Sequence, residues 1–464
     1  MDLIKNNIYQ IEIEDIGNDG SGIGHIDGMA VFVKDTAIGD VANVRITKVT
    51  KKLAYGHLEE MLVPSPYRVE PVCAHAKRCG GCTLQHIAYE KQLEYKWHKV
   101  YGCLKRIGRV DNLEEIMETP VYGMEYPYHY RNKAQFPVGR DRDGNVIIGF
   151  YATRSHDIID SDVCPIGDSI NDKIIPVIKR FITEKNISTY DETTGAGLVR
   201  HVLIRVGKTT GEVMVCLVLN GHELPFADYL TNELRKLSDD ERRIVSICLN
   251  INMDNTNRIL GDTCVTLWGQ DYITDCIGNV RYEISPLSFY QVNPTQTRAL
   301  YDKVLEYADL NGNEIVWDMY CGIGTISLFL AKSAKQVYGV EIVPDAIEDA
   351  RRNAEINGIS NVDFFVGKAE EVVPDIYSKG GDGAYADVVV VDPPRKGCDA
   401  ALLSTLVAMS PKRIVYVSCD PATLARDICI LSRDGYELEN AAVVDQFCQS
   451  THCESVALVV RAVE

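Results

Sequence analysis

No run in this 464-residue chain approaches the ~18 apolar residues that a membrane span needs. The opening stretch, MDLIKNNIYQ, lacks the apolar core of a secretory leader. A cytoplasmic protein with no membrane partner is the expectation. Positive charge is also scarce: 48 Lys and Arg against 66 Asp and Glu leave a net charge of −18, which excludes indiscriminate coating of nucleic acid. No internal repeat or low-complexity segment interrupts the chain, and nothing in it points to an obligate protein partner, so a monomer is expected.

The content is 46% hydrophobic and 25% charged, that of a soluble globular protein too long for one ordinary core. Fifteen cysteines in so long a chain are not a secreted disulfide framework; in a reducing compartment they are thiols, metal ligands or nucleophiles. Positive charge is concentrated locally. Lys77 to Arg109 holds eight Lys and Arg against two Glu, with Tyr89, Tyr95, Trp97 and Tyr101 interleaved. Basic side chains answer phosphates and aromatic faces stack on bases, so this stretch is a candidate RNA groove. It also reads as an amphipathic helix whose buried stripe is Leu93, Trp97, Val100, Leu104 and Ile107.

Three tracts follow one another. Residues 1–62 alternate apolar and polar positions between Gly-rich turns, the pattern of a small antiparallel β-barrel of OB-like type. Residues 63–285 are mixed α+β: a Cys-rich opening, strand signals in GNVIIGFYAT, VRHVLIRVG and GEVMVCLVLN, and one or two helices. From 286 to 464 strands alternate with helices across short loops, which specifies a doubly wound parallel α/β sheet. The last two strand signals, YELENAAVVD and SVALVVRAV, are expected at its edge, one of them antiparallel.

The first strand of that sheet runs into CGIGT, where Gly322 and Gly324 permit a tight turn against a ligand. The third glycine of the dinucleotide fingerprint is missing, since position 327 is Ser. The second strand ends in Glu341, suited to two ribose hydroxyls, and the fourth in Asp392-Pro393-Pro394. Together these resemble the class I S-adenosylmethionine-dependent methyltransferases. Enzymes of that class that methylate amino groups often carry an aromatic after D-P-P. Arg395 stands there instead, which counts against an amine target and directs attention to Cys419, at the end of the next strand, RIVYVSCD.

C5 of a pyrimidine is a poor nucleophile. A thiolate adding to C6 turns the ring into an enolate whose C5 can attack a methyl sulfonium, and a base must then remove the C5 proton so that the thiol can leave. DQFCQSTHCESVALVVR supplies Asp445, His452 and Glu454 for that second task. No Pro-Cys dipeptide, the usual setting of the cytosine-C5 nucleophile, occurs.

SCDPATLARD, DPPRKG, FYQVNP, MYCGIGT and the T-H-C-E-S-V ending resemble the RNA 5-methyluridine (uracil-C5) methyltransferase family. GNDGSGIGHIDGMAVFV resembles a TRAM domain, an RNA-binding barrel. The resemblance implies that Cys419 is the nucleophile and Glu454 the base, and that Gln291, Tyr320, Thr325, Glu341 and Asp392 contact S-adenosylmethionine. The family's S-C-N-P is S-C-D-P here, and Asp420 is expected to turn its carboxylate away from the sulfur. Cys321 and Cys453 are expected to be packing residues, and His452 either orients the site or is structural.

Cys73, Cys79 and Cys82, in CAHAKRCGGC, with Cys164 far downstream, are a four-thiol set open to zinc or an iron-sulfur cluster. The pattern is similar to that of iron-sulfur members of the same family, which implies a [4Fe-4S] cluster. The barrel and cluster together resemble enzymes of 23S ribosomal RNA more than those of the tRNA T-loop, which remain the alternative. A non-catalytic RNA-binding assembly factor is the reading from a different class.

Overall fold

In a computed structural model, which describes residues 3–379 and 385–462, three large sheets succeed one another along the chain. The first is six-stranded and spans Ile8–Glu12 to Leu53–Val63. Alternate residues Ile11, Ile13, Val31, Val33, Val44 and Ile46 point inward, as a period of two requires. A Cβ added to Gly24 would lie 2.2 Å from the Glu12 carbonyl oxygen, so the strands approach this closely only around glycine. The pairing is antiparallel except between Met29–Val33 and Leu53–Val63, which run parallel.

The second sheet has seven strands, with Val199–Val206 and Glu212–Leu219 at its centre. Helices Asn171–Glu184 and Ala227–Arg235 cover one face with Ile174, Ile178, Phe181 and Leu230. The other face, through Leu203, Met214 and Cys248, packs into the core of the third sheet. A hairpin of Ile273–Ile277 and Val280–Ile284 lies between the two.

The third sheet runs in the order Val362–Val366, Gln336–Glu341, Ile315–Asp318, Val388–Val391, Arg413–Ser418, Glu454–Arg461, Tyr436–Val444. The first five strands are parallel. Their order reverses between Ile315–Asp318 and Val388–Val391, and such a switch point opens a crevice at the carboxyl ends of the strands. Glu454–Arg461 is antiparallel to both neighbours and sits inside the sheet rather than at its edge. Its antiparallel sense brings its first residue beside the last residues of Arg413–Ser418.

Helix Tyr89–Cys103 packs on the back of this sheet, where Val100 and Leu104 share a core with Val389, Tyr416 and Leu424. The stripe expected here holds as far as Leu104. Residues Leu104–Gly108 then wind as a π-turn, and the extra residue in its turn rotates Ile107 out to solvent, where it is 42% exposed. Among the described residues no helix is long and apolar enough to cross a membrane.

Candidate active site

Strand Arg413–Ser418 is an apolar run, fully buried from Ile414 to Val417, and Cys419 stands half-buried just past its end. Pro421 opens the following helix, Pro421–Leu431, and Asp420 caps it: its Oδ1 accepts from the amides of Ala422 (2.9 Å) and Thr423 (3.3 Å). The Asp420 carboxylate is thus engaged with the helix and not with the thiol. Ser418 pairs with Ser455 across the antiparallel ladder, which sets Cys419 and Glu454 side by side at one end of the sheet.

Glu454 is 3% exposed and its Oε2 has no hydrogen-bond partner. Burial and the nearby Asp392 carboxylate push its pKa well above the usual range, against the pull of the Arg395 guanidinium. The Cys419 thiol is pushed up to about 11 by burial and by the carboxylates of Glu454 and Asp392, again opposed by Arg395. Asp392 is itself raised by burial and by Asp318, which burial holds at about 6 although Ser327 Oγ donates to it at 2.6 Å. A cluster of carboxyl groups in low dielectric beside one guanidinium favours protonated acids and a neutral thiol until a cationic guest or a proton acceptor arrives.

On the other side of the switch point the glycine turn has φ of +53° at Gly322 and +81° at Gly324, a conformation that favours glycine. Glu341 accepts from the amides of Gly322 (3.3 Å) and Val343 (3.0 Å) and lines a cleft of about 640 Å³ together with Gly322, Ser288, Phe289 and Asp349. Tyr320 lies half-buried at the end of strand Ile315–Asp318. Thr325 Oγ1 accepts from Tyr301 Oη at 2.8 Å, and the buried Gln291 accepts from Asn132 Nδ2 at its carbonyl (2.8 Å) and from Gln446 Nε2 at its Oε1 (3.3 Å).

Two alternatives for the base fare differently from Glu454. Asp445 is enclosed in an ion pair with Lys96, both side chains 0% exposed, and also accepts from Tyr89 Oη at 2.6 Å. His452 is pushed down to about 4 by burial and by Arg395, Lys99, Lys96 and Arg131. It is neutral at neutral pH and a weak base. Cys321 and Cys453 are buried packing residues.

Cys73, Cys79, Cys82 and Cys164 line one cavity of about 210 Å³, each half-buried and none in a disulfide. Burial and the three neighbouring thiols push Cys82 up to about 12, against the opposing influence of the nearby Gln85 amide. The Gly81 amide donates to Cys79 Sγ at 3.4 Å. Among the described residues no group of three or more His, Cys, Asp or Glu stands in an arrangement that could hold a metal ion. The fold gathers the four thiols without setting them in a ligand geometry.

Arg395, Lys96 and Tyr89 were not expected around the catalytic groups; the last two were expected in the RNA groove. Arg395 followed the D-P-P motif in plain view, but only the structure shows that its charge acts on both the Cys419 thiol and the Glu454 carboxyl. Lys96 carried a signal: three residues after Leu93 and four before Val100, it belongs to the apolar face of its helix.

The switch point and the acidic strand ends define a class I methyltransferase. The family model for tRNA (uracil-5-)-methyltransferases matches residues 88–462, a TRAM domain matches residues 5–58, and the chain belongs to that methyltransferase family. Among curated proteins it is 50% identical to an uncharacterized RNA methyltransferase of Clostridium acetobutylicum, over 98% of each chain. It is 49% identical to one of Halalkalibacterium halodurans, over 98% of this chain and 97% of the other. Among solved structures it resembles the Pyrococcus abyssi tRNA (uracil-54, C5)-methyltransferase in complex with S-adenosyl-L-homocysteine. That likeness has a TM-score of 0.77 and 32% identity, over 97% of this chain and 99% of the other.

Proposed function

We propose that this protein methylates C5 of a uridine in RNA with S-adenosylmethionine as donor, Cys419 acting as nucleophile and Glu454 as base. The observation that carries this reading is the antiparallel pairing of Ser418 with Ser455, which sets a thiol beside a carboxylate whose Oε2 is buried and unpartnered. Cys419 Sγ adds to C6, and C5 takes the methyl group from the sulfonium. Glu454 then removes the C5 proton, C5=C6 re-forms, and the sulfur leaves as thiolate. Arg395 supplies the positive charge that makes both anions accessible. Glu341 and Asp392, at two strand ends flanking the crevice, Gln291, Tyr320 and Thr325 are assigned to the donor.

The four cysteines fit a [4Fe-4S] cluster by donor type: four thiols in one cavity, none in a disulfide, with a backbone amide donating to one sulfur. Such a cluster would tie the 73–82 segment to Cys164. Ribosomal RNA of the large subunit is the proposed substrate, on the barrel and cysteine pattern. The tRNA T-loop is the second reading, favoured by the likeness over nearly the full chain to an enzyme described as acting on tRNA uracil-54. Mass mapping of 5-methyluridine in ribosomal RNA and tRNA from cells lacking the protein decides between them. Loss from neither, together with no methyl transfer to RNA in vitro, would leave only a binding role.

A further inference from the structure

The segment 445–453 joins strand Tyr436–Val444 to Glu454–Arg461 and delivers Glu454 to the site. It is held largely by groups from elsewhere in the chain. Lys96 Nζ pairs with Asp445 and donates to the Phe447 carbonyl at 3.1 Å, and Tyr89 Oη donates to the second Asp445 oxygen. Lys99 Nζ donates to the Thr451 carbonyl at 2.9 Å, and Gln92 Nε2 to Gln449 Oε1 at 3.0 Å. Thr451 Oγ1 donates to the Asn18 carbonyl of the barrel at 2.8 Å. Gln449 has φ of +68°, a left-handed conformation that a non-glycine residue keeps only when its surroundings impose it.

A fully buried ion pair is a poor way to gain stability, because desolvating two charges offsets their attraction. Well-packed apolar residues of similar volume are often as good or better. What the pair does supply is direction: a carboxylate with both oxygens engaged fixes the start of the segment in one orientation. We infer that Lys96 and Asp445 are positioning residues, which lock the segment so that Glu454 faces the carbon from which the proton departs. Cys419 is carried by a different strand and does not depend on this clamp. The pair therefore acts on release of the product and not on the attack that precedes it.

The inference rests on the assignment of Cys419 and Glu454 above, and one experiment keeps the two apart. Wild type, the apolar exchange Lys96→Met with Asp445→Leu, and Tyr89→Phe are each given RNA with uridine or 5-fluorouridine at the target, with thermal midpoints recorded. The exchange should form the fluorouridine adduct within about twofold of the wild-type rate. It should release methylated natural RNA about tenfold more slowly or worse, as displacement of a base by a fraction of an ångström predicts. Its midpoint should stay near wild type, and Tyr89→Phe should show a smaller delay confined to release. Equal slowing of attack and release, or release at the wild-type rate, overturns the positioning role. If the exchange does not fold, Tyr89→Phe decides: an unchanged release rate overturns the role. A wild type that never traps fluorouridine RNA refutes the Cys419 assignment instead.

Discussion

The thiol at Cys419 and three thiols of the 73–164 cavity, Cys79, Cys82 and Cys164, are held above the ordinary thiol range, but by different neighbours. Around Cys419, after burial, the neighbours are carboxylates, Glu454 and Asp392, with Arg395 opposing them. Around Cys82 they are the other three thiols. A lone thiol among acids is relieved by a substrate that accepts its electrons, whereas thiols crowding one another are relieved by a shared cation. The difference separates the cysteine proposed to react from those proposed to ligate where burial alone does not, since both are half-buried.

Cys419→Ala breaks that comparison most completely. It should abolish both methyl transfer and trapping of 5-fluorouridine RNA, while metal per chain in anaerobic protein stays at the wild-type value. Turnover by this variant would remove the covalent mechanism. Glu454→Gln comes next. A carboxamide is no base near neutral pH, so release should slow by about 100-fold or more, and methylated RNA should accumulate covalently bound to protein on denaturing gels. If product leaves at the wild-type rate, Glu454 is not the base. The buried pairing of Asp445 and the depressed His452 give neither an easy claim to replace it.

Two further tests sharpen the contrast. Because the Cys419 thiol is pushed up to about 11, its thiolate fraction grows as pH rises through the neutral range. Trapping of fluorouridine RNA should accelerate by about tenfold per pH unit between about pH 7 and 9, and a flat profile would show that something other than thiolate formation limits attack. Cys164→Ser removes one of the proposed ligands from the cavity. Anaerobic protein should lose most of its metal, with about four irons and four sulfides per chain in the wild type as reference, while methyl transfer by the folded fraction falls only severalfold. Stoichiometric zinc in a colourless wild-type preparation would replace the cluster with a closed tetrahedral site.

Much of the third sheet was legible because each strand is a short apolar run that ends in a polar signal: Tyr320 after WDM, Glu341 after YGV, Asp392 after VVVV, Cys419 after YVS. The helix Ala369–Lys379 and the hairpin Ile273–Ile284 left no comparable punctuation and were not read. Long-range pairing is the other gap. That Glu454–Arg461 inserts antiparallel beside Arg413–Ser418, and so brings Glu454 to Cys419, is a matter of sheet order, which local periodicity does not carry. The basic stretch 77–109 shows a related limit of charge counting. Counting charge treats every lysine as solvent-facing, yet Lys96 and Lys99 turn inward to the 445–453 segment, and Lys91 and Lys105 pair with Glu94 and Asp111.

The smallest effect is expected at Asp420, and it tests whether the acids around Cys419 act by sign alone or by where they point. If any nearby negative charge held the thiol up, Asp420→Asn would speed attack as surely as removal of a facing carboxylate. But Asp420 directs Oδ1 to the amides of Ala422 and Thr423, while the charges that hold the thiol up are those of Glu454 and Asp392. Asn caps a helix about as well as Asp, so Asp420→Asn should change the unfolding free energy by only a few tenths of a kcal/mol, whereas Asp420→Ala should cost about 1 kcal/mol. Trapping of fluorouridine RNA by Asp420→Asn should stay within about twofold of wild type across the same pH range, since the thiolate fraction sets the rate. A shift of the whole pH profile to lower pH would mean that the capping carboxylate also presses on the thiol, and that proximity outweighs direction at this strand end.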